Sequence, residues 1–256
     1  MQNKLREPVI VFALLVYGAN TMASAQVEVS NKKTGSDELT VFKLKQSDSL
    51  ADFSINEPDK NDINIYLSIP AAFTTTSSSI SGAAVCNGKK CGGAANNRLA
   101  GTVLYIEGNF EIFKSDRGQV LTKSFLADVQ KDGGSLFQQF LLVSTSAAQP
   151  FKDKALAPRR ALAIFNNGDR AVVQFLKPIT MGQFAHDLES IGVREAVYTP
   201  VGDADGGWYR KGEKIIKIGK TSSPVPVQSN WAIWKKGSDK RDPKAVDRWL
   251  QQHTGK

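Results

Sequence analysis

Two features of this chain have residue types that could carry chemistry, and the first is Arg160. It opens the apolar segment at residues 160–164, whose composition predicts a buried strand. A guanidinium carried by a strand at the mouth of a sheet offers a planar fork of donors, and that fork matches a phosphate group. The other interpretation is that Arg160 pairs with a structural carboxylate.

The second feature is an acidic, glycine-rich segment. Asp203 and Asp205 lie there between Gly202 and the adjacent pair Gly206 and Gly207. Hydrolysis of a glycosidic bond uses one carboxyl group to protonate the leaving oxygen and a second group to activate the nucleophile. Glycines let main-chain amides approach a phosphate closely. The alternative is an acidic hairpin loop that binds a cation weakly through oxygen ligands.

The elements that must position these residues follow the order strand, turn, strand, helix, strand. Asn167-Gly168 predicts a two-residue turn between strands at residues 160–164 and 171–176. After the helix, residues 193–198 predict another strand, which leads directly into the acidic segment. A second hairpin and a last apolar strand complete the order.

The helix between these strands has clear signals at both ends. Thr180 as N-cap and Gln183 three residues later have the spacing of a capping box. Gly192 stands where a left-handed C-terminal cap is required. The apolar face repeats at i, i+4 and i+7, at Phe184, Leu188 and Ile191.

This order of elements and motifs resembles the C-terminal half of the phosphodiester glycosidase family. The family pattern there is Arg-Thr-Ala-Ile-Gly, a hairpin, a helix that ends in Leu-Gly, then Ala-Leu-Asn-Leu-Asp-Gly-Gly-Gly-Ser-Ser, and finally a Pro-Val strand. The stretches of this chain that match are residues 160–164, 191–192, 195–207, 226–227 and 230–233. The match covers roughly the last hundred residues.

The resemblance implies catalytic roles for Arg160, Asp203 and Asp205. It also implies that the glycines of the acidic segment bind substrate, namely Gly202, Gly206 and Gly207. Two alignments of this segment stay open. Counting forward from Ala196 places Pro200 where the family has its Asp, whereas aligning on Asp205 requires about five inserted residues.

An earlier segment also takes part in the resemblance. Where the family has Asn-Gly-Gly-Phe-Phe after an early strand, this chain has Pro70-Ala-Ala-Phe73. The resemblance implies that Phe73 binds substrate and that the hydroxyl of Thr74 could replace the family's amide, which both donates and accepts. The alternative is that this hydroxyl-rich run is a surface loop.

The rest of the chain predicts mostly strands, from apolar alternation and from turn signals. We predict strands at 39–44, 63–69 and 137–143, a hairpin at 101–107 and 110–113 that turns at Gly108-Asn109, a helix at 124–131, and a loosely held lead-in at 26–38.

The first 25 residues have the pattern of a signal peptide. Lys4 and Arg6 form a positive start, residues 9–17 an apolar core, and Ala23-Ser-Ala25 a cleavage site. The apolar core is too short for a permanent membrane anchor, and no other apolar run approaches the length of a membrane span. We therefore expect an exported protein, periplasmic or secreted, without a transmembrane segment after cleavage.

The cysteine and histidine content limits the chemistry further. In an oxidising compartment Cys86 and Cys91 are expected to form a disulfide across the turn that begins at Asn87. With two histidines, His186 and His253, the sequence does not favour a zinc site. It identifies no cofactor.

The formal net charge of +8 favours anionic partners. Phosphorylated or otherwise anionic glycans fit an exported chain. Nucleic acid does not, because the chain has no recognisable nucleic-acid-binding motif. A basic surface that is merely solubilising is the alternative.

These observations predict a single α+β domain, rich in strands and similar to the phosphodiester glycosidase fold, at residues 26–234. Residues 235–256 are predicted to form a basic linker and a short helix that starts at Asp242 and Pro243. The expected activity is hydrolysis of a sugar-1-phosphodiester. The alternatives are a non-catalytic member that binds an anionic glycan, and an interaction protein that uses the C-terminal helix.

Overall fold

The computed structural model describes residues 27–35, 37–45, 49–75, 79–201, 206–219, 228–237, 242 and 244–254. The predicted signal peptide lies outside these residues, as do Gly202, Asp203 and Asp205.

The described chain contains seventeen strands and three α-helices. The helices are α1 (Lys123–Lys131), α2 (Met181–Ser190) and α3 (Ala245–Thr254). The strands are β1 (Val27–Thr34), β2 (Asp37–Leu44), β3 (Ser49–Ser54), β4 (Ile65–Pro70), β5 (Ala84–Cys86), β6 (Lys89–Lys90), β7 (Gly101–Ile106), β8 (Asn109–Lys114), β9 (Ser135–Gln139), β10 (Leu141–Ser144), β11 (Ala147–Ala148), β12 (Ala157–Phe165), β13 (Arg170–Ile179), β14 (Val193–Thr199), β15 (Trp208–Lys211), β16 (Lys214–Lys217) and β17 (Trp231–Lys236).

The predicted α+β class is wrong, because the protein is mostly β. Strand accounts for 49% of the described structure and helix for 16%. The helices carry strong local signals in the sequence, namely caps and a 3.6-residue repeat. Several strands are only two or three residues long and have no sequence signal of their own. The sequence therefore underestimates the strand content, and the helices count for too much in the predicted fold class.

The strands form three antiparallel sheets. The large sheet has the order β1-β2-β13-β12-β14-β10-β11, so β12, which carries Arg160, lies at its centre. The second sheet has the order β16-β15-β4-β17-β3, and the third has the order β6-β5-β9-β7-β8.

The two faces of the large sheet pack against different partners. One face, which includes Leu162 and Val172, shares a hydrophobic core with residues of both smaller sheets, such as Phe53 and Phe137. The other face is covered by α2, whose Leu188 is fully buried against it. We call these the core face and the α2 face of the large sheet. Arg160 belongs to the core face, because it lies two residues from Leu162 on the same strand.

The C-terminal helix α3 packs back on the third sheet. Its Trp249 ring meets the Phe125 ring edge to face at 5.3 Å, and Trp249 Nε1 donates to Asp132 Oδ2 at 2.7 Å. Val246 is fully buried in the same cluster. The apolar face of α3 is therefore used within the protein. None of the described helices is long and apolar enough to cross a membrane.

The sequence signals at the ends of α2 are confirmed. Thr180 Oγ1 accepts from the Gln183 amide at 3.1 Å, and Gly192 has φ of +86°. The capping box is only half formed, however. The Gln183 side chain donates to Asp187 Oδ1 at 2.9 Å instead of accepting from the main-chain amide of Thr180.

Because the Thr180 hydroxyl holds the first turn of α2, a Thr180→Ala variant should lose about 1 kcal/mol of unfolding free energy. Urea unfolding of the two proteins measures the difference. The matched control is Thr254→Ala, whose hydroxyl only donates back to Leu250 O within α3. Equal losses for both variants would contradict a specific role for the cap.

Three strand predictions need correction. Residues 137–143 do not form one strand: β9 and β10 belong to different sheets, with Phe140 between them. The lead-in at residues 26–38 contains all of β1 and the start of β2, and β1 gains order by pairing with β2 along its whole length. The β7–β8 turn is at Glu107 and Gly108 rather than at Gly108-Asn109, and both of its residues have positive φ.

The predicted disulfide is present. Cys86 and Cys91 are bonded across the β5–β6 hairpin, where Asn87 and Gly88 have φ of 47° and 73°. Left-handed φ at both positions is the requirement of a tight type I′ turn, which Asn-Gly satisfies. The bridge therefore clamps a turn that the sequence already favours.

Candidate functional site

Arg160 is fully buried at the centre of the large sheet. It lies directly opposite Gln174 of β13 on one side and Thr199 of β14 on the other. Residues opposite one another in an antiparallel pair share a face. The three polar side chains therefore form a row across the core face.

The guanidinium of Arg160 is held by several oxygens. Nε and Nη2 donate to Gln174 Oε1 at 2.9 and 2.7 Å. Nη2 also donates to Ile218 O at 3.2 Å, and Nη1 makes a long bond of 3.4 Å to Pro200 O. Gln174 therefore fixes one edge of the fork, and main-chain carbonyls hold its far end.

These bonds place Arg160 beside both ends of the acidic segment. Pro200 lies just before that segment. Gly207 is the last residue of that segment, and its carbonyl accepts from the Ile218 amide at 3.0 Å. The guanidinium thus bonds to Pro200, before the segment, and to Ile218, which in turn pairs with Gly207 at the end of the segment. Asp203 and Asp205 themselves lie outside the described residues. An added Cβ at Gly206 would meet no atom of the described residues within 4 Å, so packing against them does not require glycine there.

Thr199 is a buried polar residue that sequence reasoning missed. It is fully buried, and its hydroxyl has no hydrogen-bond partner in the part of the chain that the structure describes. Gln174 was missed as well. Its position in the middle of an apolar strand was the available signal, because a buried amide must have a partner.

Phe73 lies on the opposite side of the large sheet from Arg160. Its ring packs against Phe140 and Tyr198, at centroid distances of 5.5 and 5.6 Å, as part of the cluster on the α2 face. Tyr198 points to that face because its neighbour Thr199 points to the core face. Phe73 and Arg160 are therefore not brought to one face of the sheet.

Thr74 belongs to a polar network around Asn230. The Thr74 hydroxyl lies 3.1 Å from Ser229 Oγ and 3.4 Å from Asn230 Nδ2. Asn230 is fully buried, and its Oδ1 accepts from the Ala72 amide at 2.6 Å. This network joins the segment after β4 to the start of β17.

Pro70, which stands where the family has an asparagine, is the last residue of β4 and is paired with Trp231. It is buried and offers only a carbonyl. Asn230 supplies an amide beside the same segment, but both its oxygen and its nitrogen bond to Ala72. The structure therefore gives Pro70 and Asn230 structural contacts.

Glu195 is a buried carboxyl on β14 that the site does not use. Burial raises the pKa of this carboxyl, and the Thr145 amide, which donates to Oε1 at 2.8 Å, opposes the rise. Its Oε2 has no hydrogen-bond partner among the described residues. Because the pKa is higher in the folded state, protonation stabilises the fold. That contribution is complete below about pH 4.5 and is lost as the pH rises through the folded-state pKa.

A Glu195→Gln variant should therefore gain about 1 kcal/mol of unfolding free energy at pH 7, because it keeps the acceptor for Thr145 and removes a buried charge. The gain should vanish at pH 4. Urea unfolding at several pH values measures it. Glu189→Gln, at an exposed position of α2, should change stability by less than about 0.5 kcal/mol throughout. A Glu195→Gln effect that does not depend on pH would contradict this reasoning.

No model of a known protein family matches this chain, and no curated protein matches it by sequence. Solved structures do match. The catalytic domain of zebrafish N-acetylglucosamine-1-phosphodiester alpha-N-acetylglucosaminidase, auto-inhibited by its pro-peptide, aligns with a TM-score of 0.54 and 9% identity over 83% of this chain and 82% of that one. The fold is similar to that of a phosphodiester glycosidase.

A hypothetical protein from Synechocystis aligns with a TM-score of 0.55 and 12% identity over 82% of this chain. The chain spans 62% of the length of that protein. At these identities the comparisons show the shared fold. They agree with the resemblance seen in the sequence motifs, although the class of that fold is mostly β.

Proposed function

We propose that this protein is an exported hydrolase that cleaves a sugar-1-phosphodiester. The observation that supports this most directly is the position of Arg160, whose guanidinium bonds to Pro200, just before the acidic segment, and to Ile218, which pairs with Gly207 at its end. Such a reaction needs a group that binds the phosphate and carboxyl groups that move protons, and Asp203 and Asp205 are the carboxyl groups that the sequence offers. The fold neighbour from zebrafish is by its name a phosphodiester glycosidase.

In the proposed reaction, water attacks the anomeric carbon, the bond from that carbon to the phosphate oxygen breaks, and a phosphate monoester leaves. Arg160 stabilises the negative charge that accumulates on the leaving phosphate. One of Asp203 and Asp205 takes the proton from the attacking water, and the other can protonate the leaving oxygen. Gln174 positions the guanidinium and does not itself touch the substrate.

Export is part of the proposal. It rests on the signal-peptide pattern of residues 1–25 and on the disulfide between Cys86 and Cys91, since disulfides persist in oxidising compartments. The phosphodiester would accordingly come from an extracellular or periplasmic glycan or glycolipid.

A second candidate is a non-catalytic protein of the same fold that binds an anionic glycan. Two positions favour it. Pro70 is buried in β4 where the family has an asparagine, and Pro200, which one alignment places at the family's Asp, already gives its carbonyl to Arg160. Neither proline can act as an acid or a base.

The test is release of free sugar from a panel of sugar-1-phosphodiesters, followed with the mature protein. Asp203→Asn and Asp205→Asn should each lower turnover, by about 10²- to 10⁴-fold for the residue that acts as general acid or base. Asp153→Asn, an exposed control that keeps its acceptor for the Ala155 amide, should not.

Binding of a phosphodiester without turnover, weakened by Arg160→Lys, would favour the non-catalytic candidate. If the protein neither hydrolyses nor binds any phosphodiester of the panel, both candidate functions are rejected. Lysine is the appropriate change for binding, because it keeps the charge and the stem but loses the planar fork.

A further inference from the structure

Two cavities flank the tip of the β12–β13 hairpin. One, of about 370 Å³, lies on the α2 face, beside Val41 and Ile191. The other, of about 520 Å³, lies on the core face, beside Leu44 and Ile164. Both volumes are in the range of pockets that hold small ligands.

The two cavities meet over the hairpin tip, because Lys43, Asn167 and Asp169 line both of them. They are separate from the candidate active site. Arg160 and Ile164 are four residues apart on β12, which is roughly 13 Å along a strand. A ligand in this region would therefore not touch Arg160.

The cavity on the α2 face combines an apolar ring with groups that both donate and accept hydrogen bonds. Phe165 lines it together with Asn166, Asn167 and Ser30, and with the charged Glu28 and Lys32. The Asn166 oxygen already accepts from Ser146, and the Asn167 side chain already bonds to Asp169. A sugar ring presents an apolar C–H face bordered by hydroxyls that donate and accept. Amides and hydroxyls match those hydroxyls, and an aromatic ring matches the C–H face.

The cavity on the core face is rich in charges, and most of them are paired; Lys45 and Asp247 also line it. Lys43 Nζ lies 2.7 Å from Asp169 Oδ2 at the boundary between the cavities. Glu111 contacts Arg170 through Oε1 and Arg194 Nη2 through Oε2, the latter at 3.4 Å. Such a wall offers fixed donors and acceptors with little net charge. This arrangement favours hydroxyls over a free anion, which would have to compete with the carboxylates for the same cations.

From these contacts we infer that the two cavities form one cleft, the hairpin cleft, that binds a neutral oligosaccharide. Its walls are Ser30, Lys43, Phe165, Asn167, Asp169 and Arg194. One sugar packs on Phe165, and the chain continues over the hairpin tip toward Arg194. This site does not depend on catalysis at Arg160.

The test is titration of the mature protein with neutral tetrasaccharides of several linkages, and with inorganic phosphate, followed by calorimetry and by NMR of the main-chain amides. Ser30→Trp fills the cavity on the α2 face, and Arg194→Ala removes a half-exposed donor from the other one. The matched controls are Asn31→Trp, on the opposite side of the same edge strand, and Arg98→Ala, at an exposed position outside the cleft.

At least one tetrasaccharide should bind and shift the amides of residues 166–169. Ser30→Trp and Arg194→Ala should each weaken binding at least tenfold, while both controls stay within twofold of the parent protein. Absence of binding by every tetrasaccharide would overturn the inference, as would binding that neither cleft variant weakens. Phosphate binding that Arg194→Ala abolishes, without sugar binding, would make this an anion site and would also overturn it.

Discussion

A Gln174→Leu variant should lose about 3 kcal/mol or more of unfolding free energy, a large share of the stability of an ordinary domain. The reason is that Gln174 Oε1 accepts two hydrogen bonds from the fully buried Arg160 guanidinium, at 2.9 and 2.7 Å. Leucine removes the acceptor and leaves the charge in place. Urea unfolding at neutral pH measures the loss.

Arg160→Met should cost less, about 2 kcal/mol, because it removes the charge and leaves only neutral acceptors, the Gln174 amide and the carbonyls of Ile218 and Pro200, without this donor. In the double variant Arg160→Met, Gln174→Leu, both partners are gone, so the total loss should fall short of the sum by at least about 1 kcal/mol. Gln130→Leu on α1 is the control for the substitution itself. If Gln174→Leu costs less than Arg160→Met, the amide does not hold the guanidinium.

The hydrogen bonds from Arg160 to Gln174 also bear on function, because Arg160 can bind phosphate well only if its guanidinium is held in place before substrate arrives. Gln174→Leu should therefore lower phosphodiester turnover or binding, although Gln174 lies behind Arg160. The effect would separate a positioning residue from a merely structural one. A structural residue would change stability and leave the activity of the remaining folded protein unchanged.

The parts of the fold that the sequence could predict have local causes. The α2 cap at Thr180 and the left-handed Gly192 depend on neighbours within four residues, and the structure contains both. The disulfide across Asn87-Gly88 is equally local. In each case the residues that create the signal are the residues that form the structure.

The parts that could not be predicted depend on distant pairing. β1 is polar and lacks clear alternation, yet it forms because β2 offers it a full ladder of hydrogen bonds. β9 and β10 are separated at Phe140 and belong to different sheets. The apolar run at residues 137–143 contains no signal for this break. Prediction of a mostly β class would have required these pairings.

The candidate site divides in the same way. Arg160 was recognisable because a charged residue in an apolar strand must have a partner or a role. Its partners, Gln174 and Ile218, come from other strands and loops. The family motifs predicted that Phe73 and Arg160 share one site. Phe73 instead packs on Tyr198, whereas Arg160 lies opposite Thr199, and these two neighbours on β14 point to opposite faces of the sheet.

Arg170, near the tip of the β12–β13 hairpin, allows a second prediction of large effect. Its side chain is buried against Glu111, donates to Phe110 O at 2.9 Å and lies over the Phe110 ring. Arg170→Met should lose about 3–5 kcal/mol of unfolding free energy at pH 7.5, because it leaves the buried Glu111 carboxylate without its main partner.

The pH dependence identifies the cause. Burial raises the pKa of Glu111, whereas Arg170 and Arg194 lower it. Removing Arg170 raises that pKa further, so the folded variant binds a proton more readily and recovers stability as the pH falls. Urea unfolding should thus show a clearly smaller loss at pH 5 than at pH 7.5.

The second-site change Glu111→Gln should restore part of the stability lost in the Arg170→Met protein at pH 7.5, since it replaces an unpaired charge with a neutral amide. It should also remove most of the difference between the two pH values. If the double variant is no more stable than Arg170→Met, the loss comes from the packing of the arginine over Phe110 and not from the stranded carboxylate.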